Sequence, residues 1–224
     1  MELREYLSIR RAYNLVRQEA DAPERLTFSE FAILCRLDVA GGSLRTSDIA
    51  EYQGSLRPTM THRTKHLANL GLIERLKGDL DKRNVVCQIT DKGRDCVQAL
   101  CARTCAMIPT GQTLSRVTPD RMRRYVDAMG SINCMSGDLI LIGLLAYDDT
   151  TCSVTDLVGG LGLLQPTVSM SVSSLVEEGL LERVQVENAP RSARVALTET
   201  GSERAHEIEA QIEALIIRRK PRLA

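Results

Sequence analysis

Aromatic side chains make up 3% of this sequence: two phenylalanines, five tyrosines and no tryptophan. A protein that grips single-stranded nucleic acid by stacking its bases needs more platforms than that. No apolar run approaches 18 residues, so no stretch reads as a membrane span. The opening MELREYLSIRRAYNLV lacks the apolar core and small-residue cleavage site of a secretory signal, and the expected location is cytoplasmic. There is no phosphate-cradling glycine loop, no CxxC metal pair and no nucleophile elbow. The three histidines form no general-base constellation, so neither an enzyme nor a bound cofactor or metal is expected. Net charge is absent too, with 29 Lys and Arg against 29 Asp and Glu.

Beyond these absences, 43% hydrophobic and 26% charged residues in 224 describe an ordinary globular chain, long enough for one large or two small domains. The charge is unevenly spread. Residues 1–110 hold 17 Lys and Arg against 14 acids, and residues 111–224 hold 12 against 15. The seven cysteines are odd in number and read as reduced thiols buried as small hydrophobes. Cys96, Cys101 and Cys105 sit on one predicted helix beside Arg103 and are the candidates for a redox role. Cys101 and Cys105 share a face, but geometry along one helix disfavours a disulfide between them.

A shift of 108 residues lays the chain over itself without a gap from Leu26 to Gly93, with 14 identities in 68 positions. LRPTMTHRTKHLANLGLIERL falls on LQPTVSMSVSSLVEEGLLERV, and the matches cluster at Pro58, Gly71, Thr90 and Gly93. This pattern reads as a duplication, giving two similar domains. The expected boundaries are 1–108, a Pro- and Gly-containing linker at 109–117, and 118–224. Helical spacing is expected over 3–18, 28–38 and a short stretch from Thr46 or Ser47 to Tyr52. Pro58 suits the first position of a further helix, which ends before Gly71. LIERL and NVVCQIT alternate like two strands around a charged turn, and Thr90 can cap a long helix to about Met107. The second half repeats this order, with helices near 119–133, 136–146, 154–159, 166–178 and 199–219 and strands near 180–185 and 193–198.

Three helices followed by a two-stranded ribbon with a basic tip make a winged helix-turn-helix. The fold expected is mainly α with small β wings: two such domains in tandem, forming an intramolecular pseudo-dimer. The second helix of the turn would enter a major groove, because that groove admits an α-helix. The reader helices are expected at about 57–70 and 165–178 and the wings at about 78–84 and 186–192. In the first wing Asp79 and Asp81 can hold Arg83 for a phosphate. From the Leu-Thr helix start at 26–27, through Gly-Leu-Ile-Glu-Arg at 71–75 and Asp-x-Asp-x-Arg at 79–83, to Thr-x-x-Gly at 90–93, the segment resembles a MarR-type winged-helix regulator. The resemblance implies a regulator that binds pseudo-palindromic duplex DNA and responds to a small ligand or, in some members, to thiol oxidation. A ligand would then lodge among residues 1–20, 28–38 and 91–107 or their counterparts. The chain departs from that pattern in carrying both domains itself, which implies a monomeric pseudo-dimer or a homodimer. Its second copy departs further, with Ala189 in place of Asp81 and no charge over 165–175.

In the first reader helix Met60, Thr64 and Leu67 form the inward stripe, and no acid occurs from 57 to 69. Arg57, Thr59, Thr61, His62, Arg63, Lys65 and His66 are therefore the candidate DNA contacts, with Lys82 and Arg83 on the wing. In the second copy the candidates are Thr167, Ser169, Ser171, Ser173, Arg191 and Arg194. His62 and His66 have the i, i+4 spacing of helical metal ligands but lack a third ligand, so no metal is expected. The function expected is sequence-specific binding of double-stranded DNA by a transcription regulator, a repressor, relieved by a small effector or by thiol oxidation. The alternative is a tandem winged-helix scaffold for protein interactions.

Overall fold

The computed structural model describes residues 1–77, 85–111, 114–147, 151–184 and 194–217. The first half holds α1 (Leu3–Gln18), a 3-10 turn at Ala22–Glu24, α2 (Phe28–Ala40), β1 (Leu44–Arg45), α3 (Thr46–Tyr52), α4 (Arg57–Asn69), β2 (Ile73–Lys77), β3 (Val85–Ile89) and α5 (Asp91–Ala106). The second holds α6 (Pro119–Met129), α7 (Ser136–Ala146), β4 (Cys152–Ser153), α8 (Val154–Leu161), α9 (Gln165–Glu177), β5 (Leu181–Val184), β6 (Arg194–Leu197) and α10 (Glu199–Glu213). The architecture is helical with two small antiparallel sheets, ordered β1-β3-β2 and β4-β6-β5. The third strand of each sheet is only two residues long, too short to show alternation in the sequence. It pairs Leu44 with Cys87 in one sheet and Cys152 with Val195 in the other.

The repeated order has repeated local causes. Thr90 and Thr198 start α5 and α10, and each side-chain oxygen accepts the N–H three residues on, from Gly93 and Gly201. Those two glycines sit where the chain runs against a carbonyl. A Cβ would stand 2.1 Å from the oxygen of Leu72 at Gly93 and 1.9 Å from that of Leu180 at Gly201. Gly71 and Gly179 take the left-handed conformation, φ 72° and 73°, that turns each reader helix into its strand. Two helices stop earlier than their periodicity suggests. The one expected to reach residue 133 ends at Met129, and the last ends at Glu213 rather than 219.

Two compact units result, and they differ from contiguous halves cut at 109–117. One comprises Val16–Asn133 with Ile216–Ala224, the other Met1–Leu15 with Cys134–Leu215. The first unit is thus completed by α6, and most of α1 belongs to the second. Buried side chains and charge pairing explain the assignment. On α6, Met122, Tyr125, Val126 and Met129 are buried. Arg123 donates to Asp38 of α2, which also faces Arg94 of α5 at 3.7 Å. Arg36 of α2 lies 3.6 Å from Asp127 of α6 and 4.0 Å from the centre of the Tyr52 ring, and the Tyr52 hydroxyl donates to the Asp127 carbonyl. Gly130 ends α6 so close to Ala32 that a Cβ there would lie 2.6 Å from the alanine methyl.

The second unit uses a different set of groups. Buried Arg10 of α1 donates to the Tyr6 hydroxyl at 3.0 Å and to the Cys134 carbonyl at 3.3 Å. Asn14 donates to the Leu161 carbonyl and Arg11 to that of Gly159, both at 2.9 Å.

Gly93→Ala and Gly201→Ala should each destabilise the protein by about 3 kcal/mol, the upper end of overpacking costs, because the obstacle is backbone. Urea unfolding of the two variants checks this.

Candidate nucleic-acid interface

The turn between α3 and α4 is built by side chains that reach across it. Arg63 of α4 donates to Ser55 Oγ at 2.9 Å and to Gln53 Oε1 at 3.3 Å. The Gln53 amide in turn donates to the Ser29 carbonyl of α2. Thr64, fully buried, satisfies its hydroxyl by donating to the Met60 carbonyl one turn back. Further along α4, His66 Nδ1 meets Glu30 Oε1 at 2.7 Å. The other oxygen of Glu30 accepts the backbone N–H and the hydroxyl of Thr27, which closes the capping box at the start of α2.

These bonds sort the residues expected to touch DNA into two groups. Arg57, Thr59, His62 and Lys65 are exposed, and Thr61 is half-buried beside them. Arg63 and His66 are also half-buried, and they hold the reader helix to α2 and to the turn. Partial burial lowers the pKa of Arg63 below its usual value, while the charge of Glu30 acts the other way. Of the i, i+4 pair His62 and His66, the second is engaged by Glu30. No group of three or more metal-ligating side chains occurs among the described residues. Lys82 and Arg83, at the expected wing tip, lie outside the described residues, as does Arg191.

In the second half, α9 presents Gln165, Ser169 and the exposed Met170. Ser171 is tied to Ser136 at 2.9 Å, Thr167 and Ser173 are half-buried, and Ser174 donates to Glu178. Arg194 turns back into the fold, with Nε on Thr151 Oγ1 at 2.8 Å and a second nitrogen on the Thr151 carbonyl. The redox candidates are placed plainly. Cys101 is buried, and Cys96 and Cys105 are half-buried. Burial raises the pKa of Cys96 and, with the Cys101 thiol nearby, brings that of Cys105 to about 11.

Sequence reasoning missed Glu30, Gln53 and Ser55, which position the reader, and the exposed Arg45 at the start of α3. It also left out Leu56, which precedes α4 and is 76% exposed. Only its place beside Arg57 could have singled it out.

The charge follows the compact units more sharply than it follows the halves of the sequence. Among the described residues, the unit of 16–133 and 216–217 carries 16 Lys and Arg against 12 acids. The described residues of the other unit, from 1–15 and 134–215, carry 6 against 12.

Residues 26–85 match the model of the MarR family. The match runs from α2 through the helix-turn-helix to the first residue of β3. A comparison with curated proteins finds no match. No helix among the described residues is long and apolar enough to cross a membrane.

Arg63→Ala should lower the unfolding free energy by about 1 kcal/mol, the loss of a hydrogen-bonded clamp, whereas Lys65→Ala should change it by less than about 0.5 kcal/mol. Chemical denaturation of the two variants separates the positioning role from the exposed one. Alkylation of Cys105 at pH 7.5 should run at least about tenfold slower than that of a free cysteine, because only the thiolate reacts. Mass spectrometry of time points taken with iodoacetamide measures the rate.

Proposed function

We propose that this protein is a transcription regulator that binds double-stranded DNA sequence-specifically and represses the genes it sits on. The observation that carries the reading is the surface of α4. Arg57, Thr59, His62 and Lys65 stand exposed on the second helix of a helix-turn-helix, and no acid occurs between Glu51 and Glu74. An α-helix fits the major groove, and cations beside it neutralise phosphates. The match of residues 26–85 to the MarR family agrees with this.

In this reading the chain holds two unequal readers. The α4 reader supplies charge and so most of the affinity. The α9 reader meets a second half-site about one helical turn away through Gln165, Thr167, Ser169 and Ser173. Arg191, with Lys82 and Arg83 in the first half, adds wing contacts. One chain suffices for both half-sites. Relief comes from a small ligand, or from oxidation of a thiol among Cys96, Cys101 and Cys105.

A second reading, a tandem winged-helix scaffold for protein partners, draws support from one observation: the described residues of the unit containing α9 carry 12 acids against 6 basic residues. That balance opposes a polyanion.

Selection from random duplexes by the full chain, followed by sequencing, decides between the two. Enrichment of a motif supports the DNA reading; absence of enrichment at low salt refutes it. On the selected duplex, Arg57→Ala and Lys65→Ala should each weaken binding and reduce the slope of log affinity against log salt by about 1 where the lost contact is to a phosphate. Titrations at several salt concentrations measure both effects.

A further inference from the structure

Among the described residues, five of the ten α-helices start on a residue whose side chain caps them. Thr27, Thr90, Thr118, Ser153 and Thr198 each accept a backbone N–H in the first turn of α2, α5, α6, α8 and α10. The two reader helices start without such a cap, as do α3 on Arg45 and α7 on Met135. At the same register, α4 starts on Leu56 and α9 on Leu164, and neither side chain makes a capping bond. A Ser or Thr there would shift the folding equilibrium by about fivefold. The backbone gives no reason for the choice. Leu56 is extended at φ −63°, ψ 142°, and its carbonyl accepts the Met60 N–H at 3.0 Å, as at any helix start.

Packing gives no reason either. Leu56 is 76% exposed and Leu164 is 48% exposed. Leu56, held largely in water at a capping position, contributes no hydrogen bond and little buried area. Around Leu56 the chain is cationic and acid-free, with Arg57, His62 and Lys65 exposed on the same helix, which complements a polyanion. The first residues of the second helix in a helix-turn-helix are the ones that reach base edges. Among those edges, the one methyl group in the major groove is the C5 methyl of thymine.

We propose that Leu56 is a specificity-determining residue that reads thymine through its C5 methyl in the half-site contacted by α4. The proposal rests on the DNA-binding reading above. Leu164 holds the corresponding place in α9, where the surroundings are uncharged, so the test is made on Leu56.

The experiment scans the selected duplex with deoxyuridine, which differs from thymine by that methyl alone. Each thymine in turn is replaced, and affinity is measured for the full chain, Leu56→Ala and Leu56→Ser. At one thymine the wild-type chain should lose about fourfold in affinity, the effect of burying one methyl group. At that position Leu56→Ala and Leu56→Ser should show no loss. Leu56→Ser should also raise the midpoint of thermal unfolding, since it restores a cap, so weaker discrimination cannot be ascribed to a damaged fold. Equal sensitivity of all three proteins at every thymine, or a half-site in which no thymine matters, overturns the role of Leu56 while leaving DNA binding intact. If no duplex is enriched at the outset, the DNA reading falls, and the role of Leu56 falls with it.

Discussion

The carboxylate of Glu30 is the point on which the reader helix depends. One oxygen closes the capping box of α2 through Thr27, and the other takes His66 from the last turn of α4. The side chain is 6% exposed, so the group has left water and must recover its hydrogen bonds inside the fold. It does so with three donors, two from the start of α2 and one from the reader. The angle of α4 to α2 is therefore set by polar geometry as well as by the packing of Met60 and Leu67. Arg63, at the middle of α4, adds a second tie through Gln53 and Ser55. A helix pinned at two places holds its exposed side chains in a fixed pattern, which a base-reading surface requires.

A second constraint is the division of charge. Asp38 and Asp127 are nearly buried carboxylates, and both are met by arginines, from α2, α5 and α6. Removing one partner from such a set leaves a charge stranded away from water, so the set favours one pairing of helices over others. The register of 108 shows why α6 cannot exchange roles with α1. Where α2 has Arg36 and Asp38, α7 has Leu144 and Ala146. Where α6 has Arg123, α1 has Leu15. Each first helix carries groups suited to one unit alone. Among the described residues, basic side chains are in excess in the unit that holds α4 and acids in the unit that holds α9.

Much of this was legible in the sequence, and the reasons are particular. Thr90 and Thr198 announce their helices because a cap followed by glycine three residues on has a local cause. Gly71 and Gly179 mark the helix-to-strand turns for the same kind of reason, and the inward stripe Met60, Thr64 and Leu67 follows from a period of 3.6. The two-residue strands β1 and β4 left no periodic trace. The cut at 109–117 was misplaced as a structural boundary because linker composition says where the chain bends, not which unit the next helix joins. Arg63 and His66 looked like outward cations because a helical wheel shows direction relative to one helix. It contains neither Ser55 nor Glu30, which meet those side chains from elements up to 36 residues away.

The same limit hides Leu56. A wheel ranks polar residues as functional and apolar ones as core. Exposure reverses that ranking at a site selected for recognition. A cap that is left out and an apolar surface that is left wet both lower stability, and a chain that caps α5, α8 and α10 well has the means to avoid both. A large apolar side chain left in water among basic residues, at a helix start that a Ser or Thr could cap, is the signal, because natural proteins give up stability where binding needs it. Basic residues tell such a surface that a polyanion is near. They carry little information about sequence, since phosphates are the same along any duplex. In the proposed reading, sequence is read by groups that touch bases, and Leu56, just ahead of α4, is a large apolar side chain exposed beside its basic residues.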